Sequence, residues 1–311
     1  MGDTLKIFCG SSNLPLATEV CRTLGTAMGH ARIGRFADGE VRIELQDNVR
    51  GKDVYIIQSA CRPVNDHLVE LLIMIDAIKR ASAQRINAVM PYYGYARQDQ
   101  KDRPRTPIAA RMVADLLCRA GVQRFVAMDL HARQVQGFFD IPVDDMAVLT
   151  VFVDDLKPRL AGREVVLAPD SAGVARARTF AEALNLDLAI LDFRKASDDD
   201  TLHVVGNVAG RPVIIVDDMV DSARTLERSA RAAAAVGAAE INAYCVHPVL
   251  SQGAGERLQR APIRSLTVTD TIPLTAATAR HPKIRVVSIA PILADVIRKL
   301  HLDEPLNHYL H

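Results

Sequence analysis

Short runs of apolar residues alternate along this chain with longer stretches in which apolar residues recur at helical spacing. Leu5 to Cys9, Val54 to Gln58, Ile86 to Met90 and Phe125 to Met128 are apolar almost throughout, the pattern of strands buried on both faces. Between them, His67 to Arg80 and Pro107 to Ala120 carry apolar residues at the three- and four-residue steps of an amphipathic helix. The second half repeats the order, with strands predicted at Val165 to Ala168, Leu188 to Leu191, Val213 to Val216, Ile241 to Val246 and Leu266 to Val268. Strand and helix in alternation predict an α/β fold of βαβ units, with a mainly parallel sheet flanked by helices.

The halves also match each other. Ile7-Phe8-Cys9-Gly10-Ser11-Ser12 aligns with Val166-Leu167-Ala168-Pro169-Asp170-Ser171 at an offset of 159 (166 minus 7). Lys52 to Ile57 aligns with Arg211 to Val216 at the same offset (211 minus 52), and Arg85 to Ala88 with Glu240 to Ala243 at 155 (240 minus 85). Apolar strands resemble one another, so each match alone is weak; shared order and spacing imply two copies of one α/β domain, expected at residues 1–146 and 147–311. A helix is predicted at Ala290 to Leu300; packing back on the first domain is open to it, and its own pattern does not decide this.

Composition narrows the class. With 49% hydrophobic and 24% charged residues among 311, the chain is an ordinary globular sequence long enough for two cores. A formal net charge of +1 gives no polybasic character, so no nucleic-acid partner is expected. No apolar run approaches the roughly 20 residues of a membrane span, and Met1 to Ile7 lacks the stretch of a signal peptide. The five cysteines show no paired metal spacing, which fits thiols in a reducing cytoplasm.

The richest candidate site is Asp217-Asp218-Met219-Val220-Asp221-Ser222-Ala223-Arg224-Thr225. It follows a strand and precedes an Ala-rich helix. Amides at a helix start attract phosphate, and carboxylates hold sugar hydroxyls or a divalent cation. A phosphorylated sugar suits both. Arg224 is odd, because a loop wrapped around phosphate usually carries Gly there. Pro91 to Arg105 also follows a strand and crowds Tyr92, Tyr93 and Tyr95 beside Arg97, Lys101, Arg103 and Arg105, cations for a polyphosphate and aromatics for a base. Asp129-Leu130-His131 and Asp170 end further strands, where open parallel sheets gather ligands; a structural histidine and a helix cap are the plain alternatives. Phe36 to Arg42 reads as a turn, with Asp38-Gly39 at its tip.

These stretches resemble the ribose-phosphate pyrophosphokinases, also called phosphoribosyl pyrophosphate synthetases, nearly end to end. Phe36 to Val41, Asn48 to Asp53, Pro63 to His67, Tyr92 to Lys101, Asp129 to His131, Gln136 to Pro142 and Val268 to Pro273 carry the likeness in one order. The resemblance implies two phosphoribosyltransferase-type domains, and transfer of the β,γ-pyrophosphoryl group of ATP to the anomeric hydroxyl of ribose 5-phosphate. It implies that Phe36, Asp38 and Glu40 contact adenine from a neighbouring subunit, and that Arg97, Gln98, Asp99 and His131 bind ATP. His131 and Asp170 would hold Mg²⁺. Asp217, Asp218 and Asp221 would hold the ribose, and Ser222, Ala223, Arg224 and Thr225 its 5-phosphate. Arg194, Lys195 and Asp221 are the catalytic candidates. A homo-oligomer built on dimers, up to a hexamer, is implied.

The chain departs from the family pattern where chemistry is expected. Ala223-Arg224 stands for Ala-Gly or Gly-Gly, Asp192-Phe193-Arg194-Lys195 for Asp-Lys-Arg-Arg, and Ser171-Ala172-Gly173 lacks one of the usual glycines. Asp198 to Asp200 adds acids, and the tail lacks the serines of an allosteric phosphate site. A positive φ at Arg224 would strain the loop. These departures define the alternatives: a catalytically weakened paralogue partnering a homologous synthetase in a hetero-oligomer, or an enzyme with altered substrate. A plain phosphoribosyltransferase would not need the Tyr92 to Lys101 loop.

Overall fold

The parallel strands take their places because their side chains are apolar on both faces. The computed structural model describes residues 4–195 and 200–306, the side chains of 193–201 excepted. The chain forms two compact units, Met1–Ala147 with Thr271–Pro273 and Ile289–His311, and Val148–Asp270 with Leu274–Ser288.

The first unit is built on a five-stranded sheet of β1 (Leu5–Cys9), β4 (Asp53–Ile57), β5 (Arg85–Met90), β6 (Arg124–Met128) and β7 (Val143–Met146), in that order and all parallel. Every residue of β4 is buried, as a central parallel strand requires. Helix α1 (Leu14–Leu24) starts with Asn13 accepting from the Leu16 amide and stops at Gly25, whose φ of 66° closes the last turn. Helices α2 (Val64–Arg80) and α3 (Ala109–Ala120) bury the apolar faces read from the sequence. The turn expected at Phe36 to Arg42 joins β2 (Ala31–Arg35) to β3 (Val41–Leu45) in a separate antiparallel ribbon.

The second unit opens with α4 (Leu149–Leu156). It carries β8 (Val165–Ala168), α5 (Val174–Leu184), β9 (Asp187–Lys195), β10 (Asp200–Val205), β11 (Pro212–Met219) and α6 (Arg224–Ala235). Then come β12 (Glu240–His247), α7 (Ala254–Arg260), β13 (Ser265–Thr269), α8 (Ala276–Ala279) and β14 (Ile284–Val287). Its sheet order is β10-β9-β8-β11-β12-β13-β14. The run β8-β11-β12-β13-β14 has the order of β1-β4-β5-β6-β7, which explains the near-constant offsets. The units differ at one edge: β9 and β10 extend the second sheet, whereas β2 and β3 stand apart from the first.

One part of the chain is placed differently from the continuous 147–311 domain. Helix α9 (Ala290–His301) belongs to the first unit. It buries Leu293, Val296, Ile297 and Leu300 and packs on α1. Its end is tied down where His301 Nδ1 lies 2.8 Å from the Asp53 carboxylate and Arg85 donates to Asp303 at 3.0 Å.

Candidate functional site

The Asp217 to Thr225 segment leaves the carboxyl end of β11, as the position of ligands in open α/β sheets requires. Its carbonyls are engaged by the next connection: Leu250 N–H donates to Val220 O, Ser251 N–H to Asp221 O, and Arg257 Nη1 to Ser222 O at 3.0 Å. The first bond of α6 runs from Glu227 N–H to Ala223 O. The amides of Arg224, Thr225 and Leu226 thus lack partners within the helix, and no side chain caps it. That end of the helix is ready for an anion.

The structure corrects the strain expected at Arg224. The left-handed residue is Ala223, with φ 60° and ψ 14°, while Arg224 is the first residue of α6 and is exposed. The turn is finished one position earlier than the sequence suggested, so the backbone at 224 accommodates a side chain.

Asp217 and Asp221 are half-buried and Asp218 is buried. Burial, and next the charge of Asp218, push the Asp217 carboxyl well above the ordinary carboxylate range, against the lowering influence of Arg176. Arg176 of α5 lies 3.5 Å from Asp218 Oδ1 and 4.0 Å from Asp217 Oδ1. Beside this loop lies a polar cavity of about 310 Å³, lined by Asp170, Ser171, Asp192, Thr225, Arg228 and Ser229 among others. It brings Asp170, at the end of β8, together with Thr225 of the candidate phosphate loop. Asp170 is exposed and one carboxylate oxygen accepts from the Gly173 amide at 2.8 Å, a bond in the turn before α5, whose N-cap is Gly173 itself. The side chains of Phe193, Arg194 and Lys195, and residues Asp198 and Asp199, lie outside the described residues.

The equivalent place in the first unit is filled. Gln58 stands at the offset of 159 from Asp217, and Ser11 at the same offset from Asp170. Glu70 of α2 accepts from Ser11 N–H at 2.6 Å, Ser11 Oγ at 2.8 Å and Gln58 Nε2 at 2.8 Å, and is buried. Helix α2 has 17 residues against the 12 of α6; the two end 155 residues apart (235 minus 80), which sets Glu70 at the place of Thr225.

The nucleotide candidates of the first unit sit at the ends of β5 and β6. Arg97 and Gln98 are exposed and Asp99 is half-buried, accepting from Gln134 Nε2 at 2.5 Å. That bond ties the loop to the segment after His131. Asp129, buried with φ 46°, turns the chain so that His131 is exposed. The tyrosines do not form the aromatic face expected for a base. Tyr92 and Tyr93 are buried, and Tyr93 OH donates to Ala110 O at 2.8 Å inside an aromatic cluster with Phe125 and Phe139. Phe36 is half-exposed at the hairpin tip under the Arg42 guanidinium, with Asp38 accepting from Glu40 N–H. This triad stands on the β2–β3 ribbon, apart from the strand ends that hold Arg97 to Asp99 and His131. His131 falls in the first unit and Asp170 in the second.

The N-terminal domain of ribose phosphate pyrophosphokinase matches residues 5–121, and a phosphoribosyl synthetase-associated domain matches residues 193–311. The ribose-phosphate pyrophosphokinase of Chromobacterium violaceum is 47% identical over 98% of this chain and 94% of its own length. The chain belongs to the ribose-phosphate pyrophosphokinase family. Its namesake from Burkholderia pseudomallei is 48% identical over 96% of the chain and 95% of its own. The crystal structure of phosphoribosylpyrophosphate synthetase from Mycobacterium smegmatis superimposes with a TM-score of 0.92 at 40% identity, over 97% of this chain and all (100%) of that one. Within this pyrophosphokinase fold the sequence reading missed Arg176, Arg228 and Glu70. Comparing the two halves at the strand ends would have exposed the first and the last; Arg228 lies one turn beyond Arg224, on the cavity side of the helix.

Proposed function

We propose that this family member transfers the β,γ-pyrophosphoryl group of ATP to the anomeric hydroxyl of ribose 5-phosphate, giving phosphoribosyl pyrophosphate and AMP for nucleotide biosynthesis. The observation that carries the reading is the acid pair Asp217–Asp218 at the end of β11 followed by an uncapped helix start, of which Thr225 lines the polar cavity. Asp217, Asp218 and Asp221 accept the ribose hydroxyls, and the amides at Arg224 to Leu226 hold the 5-phosphate. Arg97, Gln98, Asp99 and His131 bind the nucleotide. Phe36, Asp38 and Glu40 serve the adenine of a neighbouring copy in a homo-oligomer; their exposure at a hairpin tip suits a group lent to a neighbour.

In the reaction the anomeric oxygen bonds to the β-phosphorus, the bond from that phosphorus to the α,β-bridging oxygen breaks, and AMP leaves with that oxygen. Asp221 takes the hydroxyl proton, and Arg194 and Lys195, whose side chains lie outside the described residues, are the cations we assign to the transferring phosphates. Catalysis here is positioning and charge neutralisation. The chemistry of Asp170, an exposed carboxylate at a strand end, fits magnesium. Among the described residues no three His, Cys, Asp or Glu side chains cluster as a metal cage, and Mg²⁺ is usually held by one or two carboxylates with waters and substrate phosphates. Asp170 is the ligand we assign; the ion, when bound, would neutralise phosphate charge. We place the protein in the cytoplasm on its five free cysteines. No helix among the described residues is long and apolar enough to cross a membrane.

No observation favours the weakened-paralogue reading; of the departures that prompted it, the backbone strain at Arg224 is absent, and the Phe193 side chain, Asp198 and Asp199 lie outside the described residues. The test is direct: pure protein with Mg²⁺, ATP and ribose 5-phosphate should form AMP and phosphoribosyl pyrophosphate in equal amounts. Retained ATP binding without product would sink the proposal.

A further inference from the structure

The two halves of the fold differ in one correlated way at the strand end that carries the acids. In the second unit Asp217 and Asp218 lie beside the Arg176 guanidinium, at 4.0 and 3.5 Å. In the first unit the corresponding strand end carries Gln58 and Ser59 (217 and 218 minus 159), which are neutral, and in place of an adjacent acid pair a single carboxylate, Glu70, is met there by the neutral donors of Ser11 and Gln58. Helix register fixes the partner position. Helices α1 and α5 both end in a left-handed cap, at Gly25 and Asn185, 160 residues apart (185 minus 25). The same step matches Ala17, Val20 and Cys21, buried in α1, to Ala177, Phe180 and Ala181, buried in α5. It therefore sets Leu16, buried and apolar, at the place of Arg176 (176 minus 160).

The first unit thus builds this helix and strand with no cation at that place, so the architecture does not demand one. The guanidinium accompanies the acids. Two adjacent carboxylates, one buried and one half-buried, repel each other and lose solvation, and a cation within 4 Å offsets both effects. A guanidinium also restricts the carboxylate rotamers that it contacts. Its side chain is 22% exposed and Asp218's only 7%, so screening by water is incomplete there.

We infer that Arg176 is a positioning residue of the sugar site, holding Asp217 and Asp218 in the orientation in which they accept the ribose hydroxyls. This inference rests on the ribose 5-phosphate reading above. The experiment is calorimetric titration of ribose 5-phosphate, and separately of ATP, into the full-length wild type, Arg176→Gln and Arg176→Lys. Arg176→Gln should weaken ribose 5-phosphate binding tenfold or more and leave ATP binding within twofold. Arg176→Lys should recover part of the loss with an unchanged thermal midpoint. If Arg176→Gln is not recovered folded, Arg176→Lys alone carries the test and should still bind the sugar about threefold more weakly. Sugar binding within twofold of wild type in the variant tested overturns the inference. So does parallel loss of both ligands with a lowered midpoint, the mark of a merely structural role. Wild-type turnover is read separately. A wild type that binds ribose 5-phosphate but forms no AMP refutes the functional reading and leaves the Arg176 comparison standing; one that binds no sugar overturns both.

Discussion

Arg224→Gly is the substitution on which sequence and structure disagree most sharply. If Arg224 stood at a positive φ and crowded the phosphate loop, glycine would relieve strain and tighten sugar binding. The positive φ belongs instead to Ala223, and Arg224 opens α6 with a solvent-exposed side chain. Glycine there gains no backbone relief. It costs up to about 1 kcal/mol of helix propensity. Removing a cation from the positive end of the helix dipole returns about 0.3–1 kcal/mol, so the net stability change should lie within about 1 kcal/mol. Binding should move further. A guanidinium beside three amides that lack helical partners adds a charge-assisted contact to an incoming phosphate, and hydrogen bonds to charged groups contribute about 1.5–3 kcal/mol. That corresponds to roughly 10- to 150-fold weaker ribose 5-phosphate binding in the variant. Titration calorimetry at fixed ionic strength reads this, with urea denaturation alongside to check the small stability change. A variant that binds ribose 5-phosphate tenfold more tightly than wild type would refute the reasoning, because only a blocking side chain gives that sign.

Two further outcomes are expected. Gly94 precedes the proposed nucleotide residues, and a Cβ there would lie 2.6 Å from the Ala60 carbonyl oxygen and 2.8 Å from Ala60 Cβ; Gly94→Ala should cost about 1–3 kcal/mol and weaken ATP binding while sparing ribose 5-phosphate, and an unchanged ATP affinity and melting midpoint would show the contact to be soft. Asp155 accepts from Arg285 Nη1 at 2.7 Å and Tyr244 OH at 3.3 Å. Burial alone would raise its pKa, but the Arg285 hydrogen bond and charge, and then the Arg159 charge, outweigh burial and hold it below the usual value. A depressed folded-state pKa stabilises above the unfolded value of about 3.9 and is lost as pH falls through the folded value. The stability gap between wild type and Arg285→Met should therefore be steady from about pH 5 to 7 and shrink below about pH 4, measured by urea midpoints; a gap that does not narrow in acid would contradict the assignment.

The strands were legible because buried parallel strands are continuous apolar runs, and the duplication because their spacing is copied with them. The acid-rich loop was legible for a related reason: charged residues directly after an apolar strand have few roles except at a site. The destination of α9 was not legible, since an amphipathic face says that a helix is buried but not against which neighbour. Arg176 was missed because its contact with Asp218 depends on how a helix lies over a strand far along the chain. The misplaced strain at Arg224 came from a one-residue uncertainty in where α6 begins, which decides whether the left-handed residue is 223 or 224. Tyr92 and Tyr93 follow a strand as ligand-facing residues do, yet the strand end turns them into the core.

The Glu70 network has a consequence for how many sugars the protein can carry. A duplicated domain starts with two equivalent pockets, and such a pair invites cooperative or half-of-sites behaviour within one chain. Here a carboxylate satisfied by Ser11 and Gln58 acts as a permanent occupant of the first pocket. On the proposed reading each chain therefore offers one ribose 5-phosphate site. The first half is released from binding sugar, and its strand ends at His131 and Arg97 are free to specialise on the nucleotide. Any sigmoidal response to the sugar must then arise between copies of the chain and not inside one.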